Sequence, residues 1–266
     1  MQNRCMERPG QEVARLLGRG SAPLRQWERL RLRTRPPAIG EILIVLTLMV
    51  VYDRLRTLAA VDPTAAVGHG LAILHDETLL HLRFEDGLNA WLAGQAFLRD
   101  LAADYYQFVH ETVALSVLAI CYVRRPSVYR SARNALVLTN VIGLVVFALY
   151  PVAPPRLLPG SQFVDVVAAA GFGASHGAIT ADQYGAMPSL HLAWATWAAL
   201  TVWAMTRRRS LRVLVVAHVV LTGLIVIATG NHYVLDVAVG TMLGAATAAV
   251  TGLLPRRNTA ALPELA

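Results

Sequence analysis

Two short stretches put ionisable side chains where apolar residues are expected. The first, Ala186-Met187-Pro188-Ser189-Leu190-His191, stands immediately ahead of an apolar run. Proline then serine before such a run marks a helix start, with Ser189 as candidate N-cap and the N–H groups of the following turn left free. An end of this kind binds anions, phosphate included, and His191 in that turn is placed to give a proton to a phosphate oxygen. The second stretch is Thr229-Gly230-Asn231-His232-Tyr233-Val234-Leu235-Asp236. Residues four apart share a helix face, their Cβ atoms about 5–6 Å apart, so Asp236 can accept a hydrogen bond from His232. That bond would fix the ring tautomer and make the other nitrogen a better nucleophile. One helix-end histidine is more often a satisfied core residue. Two, at the ends of different helices and one with a carboxylate at i+4, favour chemistry.

A third element is Tyr150-Pro151-Val152-Ala153-Pro154-Pro155-Arg156-Leu157-Leu158-Pro159. Four prolines stiffen it, and Arg156 is the only arginine in the connection preceding the serine-histidine motif. A guanidinium held there can clamp phosphate oxygens bidentately; the plainer reading is a snorkelling arginine at a membrane boundary. Asn231 and the cluster Tyr105, Tyr106, His110 and Glu111 are candidates to line a vestibule. For the cluster, an interfacial aromatic belt with a helix-end ion pair is an equal alternative. His69, His75 and His81 match no metal-ligand spacing, and no metal is assigned.

These groups must be positioned by membrane helices. Hydrophobic residues make up 55% of the chain and charged ones 15%, against about 25% charged in soluble domains. A membrane helix takes about 20 mostly apolar residues. Tyr105 to Val123, Asn134 to Val152, Leu190 to Thr206, Leu211 to Thr229 and Leu235 to Leu254 qualify. Pro37 to Tyr52 is shorter and counts as a sixth by snorkelling across Asp53 and Arg54. The expected fold is an all-α, polytopic six-helix bundle with an amphipathic external segment. Residues 37–255 form the membrane domain, between an arginine-rich cytosolic tail at 1–36 and a short cytosolic tail at 256–266.

Charge sets the orientation, since short cytoplasmic connections are enriched in basic residues. The N-terminal tail carries nine arginines. Arg124, Arg125, Arg130 and Arg133 follow the second span, Arg207, Arg208, Arg209 and Arg212 the fourth, and Arg256 and Arg257 the sixth. Both termini are therefore expected in the cytosol of a cell with this protein in its plasma (cytoplasmic) membrane. The arginine-poor connections, Leu55 to Asp104, Ala153 to Ser189 and Gly230 to Val234, lie outside and carry all three chemical elements. Within the first of them, His75 to Leu92 reads as an amphipathic helix lying in the interface, with a packing cap over the helix ends as an equal alternative.

The +7 net charge comes from arginines at the ends of apolar blocks, which suits lipid headgroups rather than nucleic acid. Cys5 and Cys121 are badly placed to meet and imply no disulfide. The first 36 residues hold no continuous apolar stretch of the kind a cleaved secretory signal needs.

Pro188, Ser189 and His191, followed by His232 and Asp236, resemble the proline-serine-x-histidine and histidine-x-x-x-aspartate motifs of the type-2 phosphatidic acid phosphatase superfamily. The resemblance implies a six-helix membrane bundle in which His232 forms a phosphohistidine, Asp236 orients it and His191 is the general acid, with no metal and no cofactor. Two family features are missing. The lysine of the usual first motif cannot occur in a chain without lysine, and Arg125-Pro126, its apparent remnant, lies on the cytosolic side with Leu118 at the lysine position. Ile225 and Val226 stand where a serine-arginine pair is usual. The wording AMPSLH, GNHYVLD and APPR is instead similar to the inositol phosphorylceramide synthase branch, which transfers a phosphoryl headgroup between lipids.

The expected substrate is thus a lipid phosphate or diphosphate, with water or a hydroxyl resolving the intermediate. A transporter or scaffold that only binds lipid phosphate is the competing class. Gly240 and Gly244 form a small-x-x-x-small pattern that suits packing within the bundle or against a second copy.

Overall fold

The computed structural model describes residues 35–58, 62–172 and 181–254. The expected tails, up to residue 34 and from residue 255, lie outside the described residues, as do residues 173–180 of the second external connection. In chain order the helices are α1 (Ala38–Leu58), α2 (Pro63–Leu79), α3 (Glu85–Ala93), α4 (Ala96–Asp104), α5 (His110–Arg124), α6 (Pro126–Leu149), α7 (Val166–Ala169), α8 (Leu190–Met205), α9 (Arg209–Ala228) and α10 (Val234–Val250). A π-helical turn, Tyr105–Val109, joins α4 to α5. Among the described residues extended pairing is limited to one parallel bridge between Val152 and Gly185.

Three rods are long and apolar enough to cross a bilayer: Ala96–Arg124 (29 residues), α6 (24 residues) and α9 (20 residues). Ala38–Leu48, α8 and α10 are shorter apolar helices. At 1.5 Å per residue, the 16 residues of α8 reach about 24 Å, short of a hydrocarbon core of about 30 Å. The all-helical membrane architecture therefore stands, while helix length by itself establishes three crossings and not six.

Helix α8 is apolar on every side, the pattern of a helix enclosed by others. Leu192, Ala193, Trp197 and Ala198 are all but fully buried. Trp197 Nε1 donates to the Ala132 carbonyl of α6 at 2.8 Å. Against α10 the backbones nearly touch: a Cβ at Gly240 would lie 2.2 Å from the Ser189 carbonyl, and one at Gly244 2.5 Å from that of Ala193. The small-x-x-x-small pattern thus seats α10 on α8, with Gly240 against the serine-histidine turn itself. Outward, α9 exposes Val213, Leu214, Val220 and Leu224 and α6 exposes Val141 and Val145, surfaces that suit lipid rather than water.

Two expectations are corrected. Arg130 and Arg133 lie within α6, which starts at Pro126 right after Arg125; proline is favoured at the first helical position, so the helix begins earlier than apolarity suggests. Arg133 is consequently free to pair with Glu41 of α1 at 2.5 Å. The run His75 to Leu92 is two helices, broken at residues 80–84. Its polarity is inverted relative to a helix resting on a protein: Glu77, Glu85 and Asn89 are buried, while Leu79, Leu80, Phe84 and Trp91 are exposed. Glu77 and Glu85 face the bundle, and the exposed Leu79, Leu80, Phe84 and Trp91 form an apolar surface that suits lipid rather than water.

Candidate active site

Ser189 has extended backbone at the start of α8. Its N–H donates to the Asp236 carbonyl at 3.2 Å. No side-chain cap bond forms, and the Ser189 Oγ is buried without a hydrogen-bond partner. Two residues on, within the first turn of α8, His191 is flanked by the Tyr106 ring at 4.4 Å, stacked, and by the His110 ring at 4.1 Å. His110 also lies 5.5 Å from Trp194, centroid to centroid.

His232 precedes α10, at the end of a tight turn in which Gly230 has φ +72°. Glycine is at home there because a side chain would be strained at positive φ and a Cβ would meet Asn89 Nδ2 at 3.2 Å and the Val164 carbonyl at 3.3 Å. The His232 ring stands 5.6 Å from that of His191, nearly perpendicular to it. Its Nδ1 lies 2.8 Å from the Ala186 carbonyl and 3.4 Å from Asp236 Oδ2. A carbonyl can only accept, so Nδ1 carries the proton and the lone pair is left on Nε2. At 3.4 Å the carboxylate contact exceeds a good hydrogen bond of about 2.7–3.2 Å. Asp236 Oδ2 instead accepts the Tyr233 N–H at 3.0 Å, capping α10. In place of the expected direct histidine-aspartate bond there is a longer contact at 3.4 Å, and the hydrogen bond that sets the tautomer goes to backbone of the serine-histidine stretch.

Arg156 is anchored beside this turn. Its N–H donates to the Gly230 carbonyl at 3.1 Å, Nε pairs with Asp165 Oδ2 at 3.1 Å, and Nη1 donates to Asn231 Oδ1. The guanidinium is therefore tied to the residue preceding His232. The candidate vestibule residues part company. Tyr106 and His110 pack on His191, whereas the Tyr105 hydroxyl bonds His218 Nδ1 at 2.7 Å and Thr222 Oγ1 at 2.9 Å on α9. Of the outlying histidines, His69 ties α2 to the stiff loop by donating Nδ1–H to the Pro151 carbonyl at 2.8 Å. His75 and His81 are exposed.

Several residues of this assembly escaped the sequence reading. Asn89 of α3 holds two other chain segments at once: Nδ2 donates to the Ala228 carbonyl at 2.9 Å and the Val164 carbonyl at 3.0 Å, and Oδ1 accepts the Val164 N–H at 2.8 Å. Glu85 and Asn89, four apart among apolar neighbours, were the available signal. Asp165, nine residues past Arg156, and His218, alone in an apolar span, carried none.

His232, buried, and His191, half-buried, thus stand together beside the unpartnered Ser189 hydroxyl, with the anchored Arg156 tied to the turn that carries His232. The sequence model of the PAP2 superfamily matches residues 71–250, more than half of the chain and all of these elements except Pro63–Gly70 of α2 and the helix α1. The chain belongs to the PAP2 superfamily, whose members are membrane phosphatases. No curated protein matches it. Among solved structures it is similar in fold to the crystal structure of Aquifex aeolicus LpxE, with a TM-score of 0.51 at 17% identity, over 64% of this chain and 93% of that one.

Proposed function

We propose that the protein cleaves a lipid phosphate or diphosphate through a phosphohistidine on His232. The observation that carries this reading is the pairing of His232 and His191 across 5.6 Å, with the Ala186 carbonyl reserving Nε2 of His232 for attack. Nε2 bonds to phosphorus as the phosphorus–ester oxygen bond breaks, and protonated His191 gives its proton to that oxygen, which departs as an alcohol. Water then attacks phosphorus while His191 takes its proton; the N–P bond breaks, its electron pair returns to Nε2, and phosphate leaves. Asp236 steadies the positive charge that His232 carries meanwhile. Released phosphate from purified protein in mixed micelles, over a panel of lipid phosphates and diphosphates, is the test; no turnover and no headgroup exchange with any of them sinks the enzymatic reading in favour of a lipid-phosphate binder. The AMPSLH and GNHYVLD wording favours a further possibility of the same chemistry, with a lipid or polyol hydroxyl replacing water as acceptor, as in headgroup transfer.

In this mechanism Arg156 holds phosphate oxygens, with the Ser189 hydroxyl and the first N–H groups of α8. Lysine in its place keeps the charge and loses the fork, including the bond to Asn231. Arg156→Lys is expected to lower kcat/KM about 10- to 100-fold, the equivalent of one charge-assisted hydrogen bond of about 1.5–3 kcal/mol. Unchanged kcat/KM in steady-state assays would remove Arg156 from the phosphate site.

The reading also sets all six apolar helices across the membrane with the site outside and the termini cytosolic, on the arginine distribution. A cysteine placed at Gly160 is expected to react with an impermeant thiol reagent on intact cells, and one at Arg208 is not. The opposite pattern puts the site in the cytosol.

A further inference from the structure

Two buried carboxyl groups lie behind the His232 turn, outside the phosphate chemistry. Glu77 near the end of α2 and Glu85 at the start of α3 are both fully buried. Glu77 Oε1 accepts the Leu235 N–H at 2.7 Å, one of the orphan donors in the first turn of α10. Leu235 stands between His232 and Asp236. Glu77 Oε2 and both Glu85 oxygens are buried with no hydrogen-bond partner among the described residues, and Glu85 is close enough to act on the Glu77 charge. The charged groups that act on Glu77 are Glu85 from α3 and Asp236 from α10, all acidic; the Tyr233 hydroxyl, nearby on the α10 side, is committed to the Ala153 carbonyl at 2.8 Å.

Two neighbouring buried carboxylates, with no cation paired to either among the described residues, repel each other and lose hydration as well, whereas one proton between them removes a charge and supplies a missing hydrogen bond. We propose that Glu77 and Glu85 are positioning residues that share one proton and, through the Leu235 amide, hold the start of α10 so that His232 and Asp236 keep their places. The proposal rests on the phosphohistidine reading only for its effect on catalysis. Burial, and after it the neighbouring Glu85 and Asp236, push the Glu77 carboxyl up to about 8. Because the folded protein binds this proton more tightly than the unfolded chain, its contribution to stability is complete below the ordinary carboxyl range and is lost as pH rises through about 8. Loss of the proton sets a charged Glu77 against Glu85 and Asp236 around the first turn of α10; the Leu235 N–H favours that charge, but burial and the two acids outweigh it, and their repulsion disturbs the start of the helix.

Glutamine imitates the protonated acid, with a carbonyl for Leu235 N–H and an amide donor for Glu85. The test compares wild type, Glu77→Gln, Glu77→Ala and Glu85→Gln in detergent, by thermal midpoint and by phosphate release from phosphatidic acid in mixed micelles, from about pH 5 to about pH 9.5. Wild-type activity is expected to fall above about pH 8, approaching tenfold per pH unit. Glu77→Gln restores what Glu77→Ala loses and extends the plateau to higher pH, and its midpoint no longer declines toward pH 8. A Glu77→Gln protein with the wild-type alkaline limb and the wild-type decline in midpoint overturns the shared proton. The midpoints need no substrate, so a flattened midpoint profile without turnover of any lipid phosphate supports the shared proton while refuting the catalytic reading. Should Glu77→Ala fail to fold, the two glutamine variants decide alone.

Discussion

His232→Ala is expected to lose at least ~10⁴-fold in kcat/KM, about 5.5 kcal/mol at about 1.4 kcal/mol per decade, because in the proposed mechanism His232 alone forms the covalent intermediate. The loss should be equal on a lipid phosphate and on an aryl phosphate with a good leaving group, since both need the nucleophile. It should also come without collapse of the fold. The ring fills a place between the Ala186 carbonyl and Asp236, but the turn around it is held independently by Gly230 through Arg156 and by Asn89. Near-normal phosphate release from a folded His232→Ala protein would mean that phosphate is attacked by something else.

His191→Ala separates the two roles. A general acid typically contributes ~10²–10⁴-fold, so turnover of an alkyl lipid phosphate should drop about 10³-fold, while turnover of p-nitrophenyl phosphate, whose leaving group needs no proton, should drop far less. The enclosing groups sharpen this expectation. Tyr106 and His110 pin the ring from two sides, so removing it leaves a gap without freeing the helix start, which is fixed by Ser189 N–H on the Asp236 carbonyl. An equal loss on both substrates would point to a binding role for His191 instead of proton transfer.

The helical membrane fold was legible because apolar blocks of bilayer length have few other uses, and arginine clusters delimit them. Boundaries were less so: Pro126 starts α6 well before its apolar stretch, and the π-helical turn at Tyr105–Val109 leaves no trace in hydropathy. His191, His232, Asp236 and Arg156 stood out because a charged or titratable group in an apolar setting needs a reason. What stayed hidden depends on chain segments far apart in sequence or on backbone. The Ala186 carbonyl that sets the His232 tautomer has no side-chain signature. Asn89 acts on residues 75 and 139 positions away, and Glu77 on a backbone amide 158 positions away. In a segment that also carries Asp76, Asp86, Asp100 and Asp104, nothing in the sequence marks Glu77 as buried, and the spacing of Glu85 and Asn89 is the one local signal.

The most direct measurement is trapping of the enzyme by alkaline denaturant during turnover of a radiophosphate-labelled lipid phosphate, followed by mapping of the label at alkaline pH. The phosphohistidine account predicts an acid-labile, alkali-stable phosphoprotein whose label maps to the peptide holding His232, present in His191→Ala and absent from His232→Ala. Label on another residue, or an identical label in His232→Ala, would contradict it.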